Sequence, residues 1–134
     1  MRYLLDSNAW IGHLRQTSPT VTIRLRREQP TDVALCAIVL EELQYGALRS
    51  GPAQRPSNLA IVANLQQEYF SLPFDDLAAL DGATIRVHLA TLGQPIGPRD
   101  VMIAAIARSN GLTLVTHNTK EFSRVPGLAL EDWQ

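Results

Sequence analysis

The 134 residues carry 12 Lys and Arg against 13 Asp and Glu, a formal net charge of −1, and 46% of them are hydrophobic. That length predicts one domain over residues 1–134, able to bury a core without a disulfide or a structural metal. The charge argues against a generally basic nucleic-acid coating, and no stretch approaches the roughly 18 apolar residues of a membrane span. Met1 to Leu5 is too short an apolar run for a signal peptide. The single cysteine, Cys36, lies within Val33-Ala34-Leu35-Cys36-Ala37-Ile38 and reads as a buried small hydrophobe in a reducing, cytoplasmic setting.

In chain order, Tyr3-Leu4-Leu5 reads as a first strand, followed by the polar trio Asp6-Ser7-Asn8 and a helix from about Asn8. Ser18-Pro19 has the form of an N-cap with proline at the first helical position, opening a helix that ends before Pro30. Val33 to Cys36 is a second strand. Val39 to Arg49 is a helix with Leu40, Leu43, Ala47 and Leu48 on one face. Gly51 to Pro56 is a loop, Asn58 to Glu68 a further helix, and Phe70-Ser71-Leu72 a short strand. Asp75 or Asp76 then caps a long helix whose apolar stripe runs Leu77, Leu80, Ala83, Val87 and Ala90 and stops at Gly93. Pro98 opens another helix, closed by Gly111 as a left-handed cap. Leu112 to Thr116 is a strand, and Leu128 to Leu130 is a last one at the edge. The alternation of strands and helices predicts an α/β fold with a central, mainly parallel sheet.

In such a sheet, residues just after strands gather along one edge, the usual place for a ligand. Asp6 follows the first strand, Glu42 stands beyond the second, Asp100 opens the helix at Pro98, and Asn118 follows the strand that ends at Thr116. Carboxylates gathered in one place repel unless a cation or a proton intervenes. An oxygen-rich set without a Cys or His cluster suits Mg²⁺ or Mn²⁺. Each residue also has an ordinary reading. Asp100 sits where a helix dipole favours an acid, Glu41 competes with Glu42, and Ser7, Asn8 and Thr116 serve as well as caps or strand ends. His13, His88 and His117 are scattered, without a ligand spacing such as H-E-x-x-H. Trp10 and Trp133 read as packing aromatics, and Arg15, Arg49, Arg55, Arg99 and Lys120 as solvated charges or RNA phosphate contacts.

Four segments taken together resemble the PIN domain, and more closely the VapC toxins of bacterial toxin–antitoxin pairs. They are Leu4-Leu5-Asp6-Ser7-Asn8, Glu42-Leu43-Gln44-Tyr45-Gly46, Ile96-Gly97-Pro98-Arg99-Asp100 with Ile103-Ala104-Ala105, and Leu114 through Phe122. The tail Val125-Pro126-Gly127-Leu128 and Glu131-Asp132-Trp133 has the same look, so the likeness spans essentially the whole chain. It implies a three-layer α/β/α fold and a Mg²⁺-dependent endoribonuclease. Asp6, Glu42 and Asp100 become the catalytic, metal-binding acids, and the resemblance selects Glu42 over Glu41. Many PIN domains carry a fourth acid where Asn118 stands. An amide brings no negative charge, which weighs against a permanently bound second metal, and Glu121 is placed to compensate. Ser7 and Thr116 would hold metal waters or phosphate, and Arg99, Arg49 and Lys120 would contact RNA. The implied partners are a VapB-like antitoxin and a second copy of the chain, in a homodimer and a toxin–antitoxin hetero-oligomer. tRNA is the first substrate to consider. A catalytically silent PIN module that binds RNA or protein, or a DNA-directed PIN nuclease, would share these motifs. No G-x-G-x-x-G or P-loop is present. A haloacid-dehalogenase-type phosphatase wants a second Asp where Asn8 stands.

Overall fold

A computed structural model describes all of residues 1–134. Five strands form one sheet: β1 (Tyr3–Leu5), β2 (Val33–Cys36), β3 (Phe70–Leu72), β4 (Thr113–Val115) and β5 (Leu130–Glu131). Their order is β3-β2-β1-β4-β5, and every neighbouring pair is parallel. Seven helices connect them: α1 (Ser7–Leu14), α2 (Pro19–Arg27), α3 (Ala37–Arg49), α4 (Arg55–Glu68), α5 (Asp76–Thr91), α6 (Pro98–Ser109) and α7 (Thr119–Phe122). Every residue of β1 and β2 is buried. Short, wholly apolar strands of this kind need cover on both faces, which the helices provide as the outer layers of an α/β/α arrangement. No helix is long and apolar enough to cross a membrane.

This topology fixes where chemistry can gather. From β1 the chain builds outward through β2 and β3 on one side, then returns to place β4 and β5 on the other. The order therefore reverses between β1 and β4, and the carboxyl ends of these strands flank a crevice. A helix that joins parallel strands runs antiparallel to them, so its N-terminus lies at that same edge. α1, α3 and α6 all point their first turns there. α6 is held by burial of Val101, Ile103, Ala104, Ala105, Ile106 and Ala107. Arg108 fastens its far end, donating from Nε and Nη2 to the Asp81 carboxylate of α5 at 2.9 and 2.7 Å and from Nη1 to the Pro126 carbonyl at 2.7 Å.

Most element positions match the reading of the sequence, and the departures have physical reasons. Asp75 is the cap of α5, its carboxylate accepting from the Ala78 amide at 2.9 Å, and Gly111 has the positive φ of 68° that the end of α6 requires. Ser18 precedes α2 but makes no side-chain capping bond. Its side chain is pressed against Gly12, where any Cβ would collide with it. On α3 the buried positions are Val39, Leu43 and Ala47, so Leu40 is only half-buried and Leu48 stands 55% exposed. The larger correction concerns α5, which faces the core with Ala78, Gly82, Ile85 and Leu89. Leu77, Leu80 and Val87 of the expected stripe are 71, 68 and 67% exposed. Both sets have helical spacing. The register with two small residues won, because Ala78 and Gly82 let α6 approach closely while the bulkier side chains stay outside. β5 begins two residues later than read, because Gly127 at φ 72° places a turn before it.

Candidate active site

Asp6 leaves the end of β1 and caps α1, its Oδ1 accepting from the Ala9 amide at 2.9 Å. The parallel register sets Leu5 beside Val115, and the residues that follow them meet. The Thr116 hydroxyl donates to Asp6 Oδ2 at 2.7 Å and itself accepts from the Asn118 amide at 3.0 Å. Asp6 and Thr116 are buried, at 8 and 1% exposure. Burial pushes the Asp6 carboxyl above its ordinary value, against the two hydrogen bonds, and the charges of Glu42 and Asp132 push it further. Asp100, in the first turn of α6 and half-buried, is raised by burial first and then by Glu42, Asp6 and Glu121 in that order. Asp6, Glu42, Asp100 and Glu121 are thus within electrostatic reach of one another at one sheet edge.

The two adjacent glutamates of α3 part company. Glu41 is exposed and pairs with the Arg99 guanidinium, which draws its carboxyl below the usual range. Glu42 is half-buried, and its charge is felt by both Asp6 and Asp100. Asn118 is not an acid, but its side-chain amide donates to Glu121 Oε2 at 2.9 Å and so holds that carboxylate near Asp100. Ser7 is buried, and its hydroxyl has no hydrogen-bond partner. Among the candidate RNA contacts, Arg99 is engaged by Glu41, Arg49 stands over the Tyr45 ring at 5.4 Å, and Lys120 is exposed on α7.

Asp132 escaped the reading of the sequence. It follows β5 at the same edge, adds its charge to that on Asp6, and pairs with His117 Nδ1 at 2.9 Å. The rule that residues gather just after parallel strands would have found it, had β5 been read to end at Glu131 rather than Leu130. The remaining candidates are structural. Trp10 is fully buried and meets Tyr69 edge to face at 5.0 Å, and Trp133 meets Tyr3 likewise at 5.1 Å. Burial pushes the Cys36 thiol up to about 11, which leaves it inert as a nucleophile. His13 is bonded to Thr22 at 2.9 Å, and burial lowers its pKa.

The donor set at the edge is all oxygen, acidic and partly desolvated, and no cationic side chain is among the groups that shift Asp6 or Asp100. No three of the carboxylates close into a common ligand shell by themselves. This combination suits a hard divalent cation held by one or two carboxylates with waters completing its sphere. The unpartnered Ser7 hydroxyl, next to Asp6 in the chain, is a further donor and acceptor for such a water.

A cluster of interacting carboxylates at the switch point of a parallel α/β/α sheet is the construction of a metal-assisted hydrolase. The PIN domain model matches residues 3–128. The chain is 39% identical to the tRNA(fMet)-specific endonuclease VapC of Shigella flexneri, over 99% of its own length and 98% of the relative's. It is 32% identical to ribonuclease VapC2 of Haemophilus influenzae, with the same coverage of each. Its fold superposes on DNA-bound VapBC from Salmonella typhimurium with a TM-score of 0.92 at 36% identity, covering 100% of this chain and 99% of the other. The chain belongs to the PIN-domain family and, within it, to the VapC ribonucleases. Dependence on a divalent metal goes with that membership.

Proposed function

We propose that this protein is the Mg²⁺-dependent endoribonuclease toxin of a cytoplasmic toxin–antitoxin pair, and that it cuts an initiator tRNA. The observation that carries the reading is the coupled set Asp6, Glu42 and Asp100 at the crevice between β1 and β4. The substrate follows the relatives named tRNA(fMet)-specific endonucleases, at 39 and 37% identity. Asp6 and Asp100 would hold the cation, with Glu42 binding a water of its shell or accepting the proton of the attacking water. When bound, Mg²⁺ supplies charge stabilisation at the phosphoryl and leaving oxygens of a phosphodiester and lowers the pKa of a coordinated water. Thr116 fixes the rotamer of Asp6, and the Asn118 amide fixes Glu121, which stands in for the absent acid at position 118. Ser7 would bind a metal water, and Arg99, Arg49 and Lys120 would contact RNA phosphates.

The test is cleavage of an initiator tRNA transcript by the purified chain with Mg²⁺ and with EDTA. Specific, single-site cutting that needs the metal is the expected result. Intact tRNA under both conditions would leave the silent PIN module standing, and cutting of single-stranded DNA in preference to RNA would favour the DNA-directed reading.

The partners follow the same reasoning. Structural relatives were solved as VapBC complexes, and a VapB-like antitoxin would hold this chain in a hetero-oligomer, placing a basic residue against the acidic crevice. A second copy of the chain would cover the apolar face that α5 leaves outside, Leu77, Leu80 and Val87, because exposed apolar stripes of this kind mark self-association. Leu80→Glu with Val87→Glu is expected to turn a dimer into a monomer in sedimentation without loss of helical content. A parent that sediments as a strict monomer at micromolar concentration refutes the homodimer.

A further inference from the structure

We propose that Tyr45 forms the wall of a nucleobase subsite beside the acidic crevice, stacking a base of single-stranded RNA next to the phosphate that is cut. This rests on the ribonuclease reading and adds to it where an unpaired base is held. On α3, Tyr45 lies four residues beyond Glu41 and three beyond Glu42, and Arg49 four beyond Tyr45, so that they form one strip of helix surface leading away from the crevice. Val39, Leu43 and Ala47 already provide the core contact of this helix. Tyr45 is therefore not needed for packing, and it stands 59% exposed. An aromatic ring in solvent on the strip that also holds Glu42 has a large apolar face to offer an incoming ligand.

The surroundings of the ring define the ligand. A cavity of about 390 Å³ is lined by Ile11, Glu41, Glu42, Tyr45 and Arg99, within the range of small-molecule sites. Because Glu42 lines it, whatever enters also borders the carboxylate edge. The lining combines a flat aromatic face, the apolar edge of Ile11, carboxylate acceptors and a guanidinium donor. Those are the groups that grip an unstacked base: ring stacking for its face, hydrogen bonds for its edge. Arg99 is held in place by its pair with Glu41, yet it is 54% exposed at the side chain, and the five donors of a guanidinium leave some to offer. Arg49 stands over one face of the Tyr45 ring at 5.4 Å and does not line the cavity, so the base takes the cavity side of the ring while the planar cation behind it suits a neighbouring phosphate. A duplex would keep its bases inside the helix, so this cavity selects an unpaired nucleotide, such as one in a loop.

The experiment uses the parent, Tyr45→Ala and Tyr45→Phe on the anticodon stem-loop of an initiator tRNA, with abasic residues placed one at a time through the loop. Tyr45→Ala is expected to raise KM by roughly ten- to a hundredfold, the effect of losing one stacked base, with a much smaller change in kcat. Tyr45→Phe, which keeps the ring and loses only the hydroxyl, is expected to restore the parent KM. One abasic position flanking the cut should cost the parent a similar factor and cost Tyr45→Ala nothing further. A parent equally tolerant of every abasic position overturns the subsite, as does a phenylalanine variant as impaired as the alanine variant. If Tyr45→Ala leaves KM unchanged but weakens antitoxin binding, the surface is a protein contact and the proposal falls. A parent that cleaves normally while Tyr45→Ala is indifferent removes the subsite alone. A parent that cuts no RNA in Mg²⁺ removes the ribonuclease reading itself.

Discussion

Asp6→Asn and Asp100→Asn are each expected to lower Mg²⁺-dependent cleavage by on the order of 10³-fold while leaving the fold in place, the scale for a site that loses a preorganised charge aimed at the reacting group. The structure explains why folding should survive. Asparagine is as good a helix cap as aspartate, so the Ala9 contact of Asp6 can persist. The Thr116 oxygen can accept from an amide nitrogen where its hydroxyl donated to the carboxylate. Replacing a desolvated, repelled carboxylate also removes an unfavourable charge. On α3, Glu42→Gln should lower turnover by about a hundredfold or more, the scale for a positioned proton acceptor. Glu41→Gln loses an exposed ion pair, a type of contact that contributes little, and touches only the base-binding side of the site, so its rate at saturating RNA should stay within about threefold, with any larger effect confined to KM. The measurements are single-turnover rates together with circular dichroism of each variant. A folded Asp6→Asn, Asp100→Asn double variant that cuts at the parent rate would end the assignment, and equal losses at Glu41 and Glu42 would show that the helix presents a different face to the crevice.

The elements that position this site were legible because their signals were unambiguous. Tyr3–Leu5 and Val33–Cys36 are apolar runs bounded by polar or helical sequence, and both appear as strands over those residues. Once parallel strands are assigned, the gathering of Asp6 and Thr116 follows from strand geometry, and Asp100 follows from the direction of the helix that Pro98 opens. Choosing Glu42 over Glu41 took the family resemblance, since one helical residue separates them by about 100° and either could face solvent. The α5 register was illegible for a different reason. Leu77, Leu80 and Val87 form as good a periodic stripe as Ala78, Gly82, Ile85 and Leu89. Periodicity ranks side chains by hydrophobicity, whereas a close helix contact selects small ones. Asp132 was missed because β5 has only two residues and follows a turn, so its end leaves little trace in the sequence.

Mg²⁺ is expected to stabilise the folded chain, and acid is expected to replace it in part. The Asp6 and Asp100 carboxyls are both raised above their ordinary value of 3.8, each by burial first and then by neighbouring acids. A raised carboxyl binds its proton more tightly in the folded than in the unfolded chain. The stability it contributes is therefore complete below the unfolded value, near 3.8, and is lost as pH rises through the raised folded value. Above that window the ionised carboxylates repel one another, and unfolding relieves them. A cation that binds only the native state offsets the repulsion, by about 1.4 kcal/mol at ten times its dissociation constant. For a chain of this size, that corresponds to a rise in Tm of about 3–8 °C. The measurement is a thermal melt in Mg²⁺ and in EDTA at matched ionic strength, since general screening also weakens repulsion. Asp100→Asn should melt higher than the parent in EDTA at pH 8, with the difference shrinking as pH falls toward 4, and it should gain less from Mg²⁺. A parent whose Tm is indifferent to saturating Mg²⁺ would mean that the carboxylates of β1, α3 and α6 do not act as one site. A Tm gap between Asp100→Asn and the parent that stays constant from pH 8 to pH 4 would mean that their repulsion is not what the metal relieves.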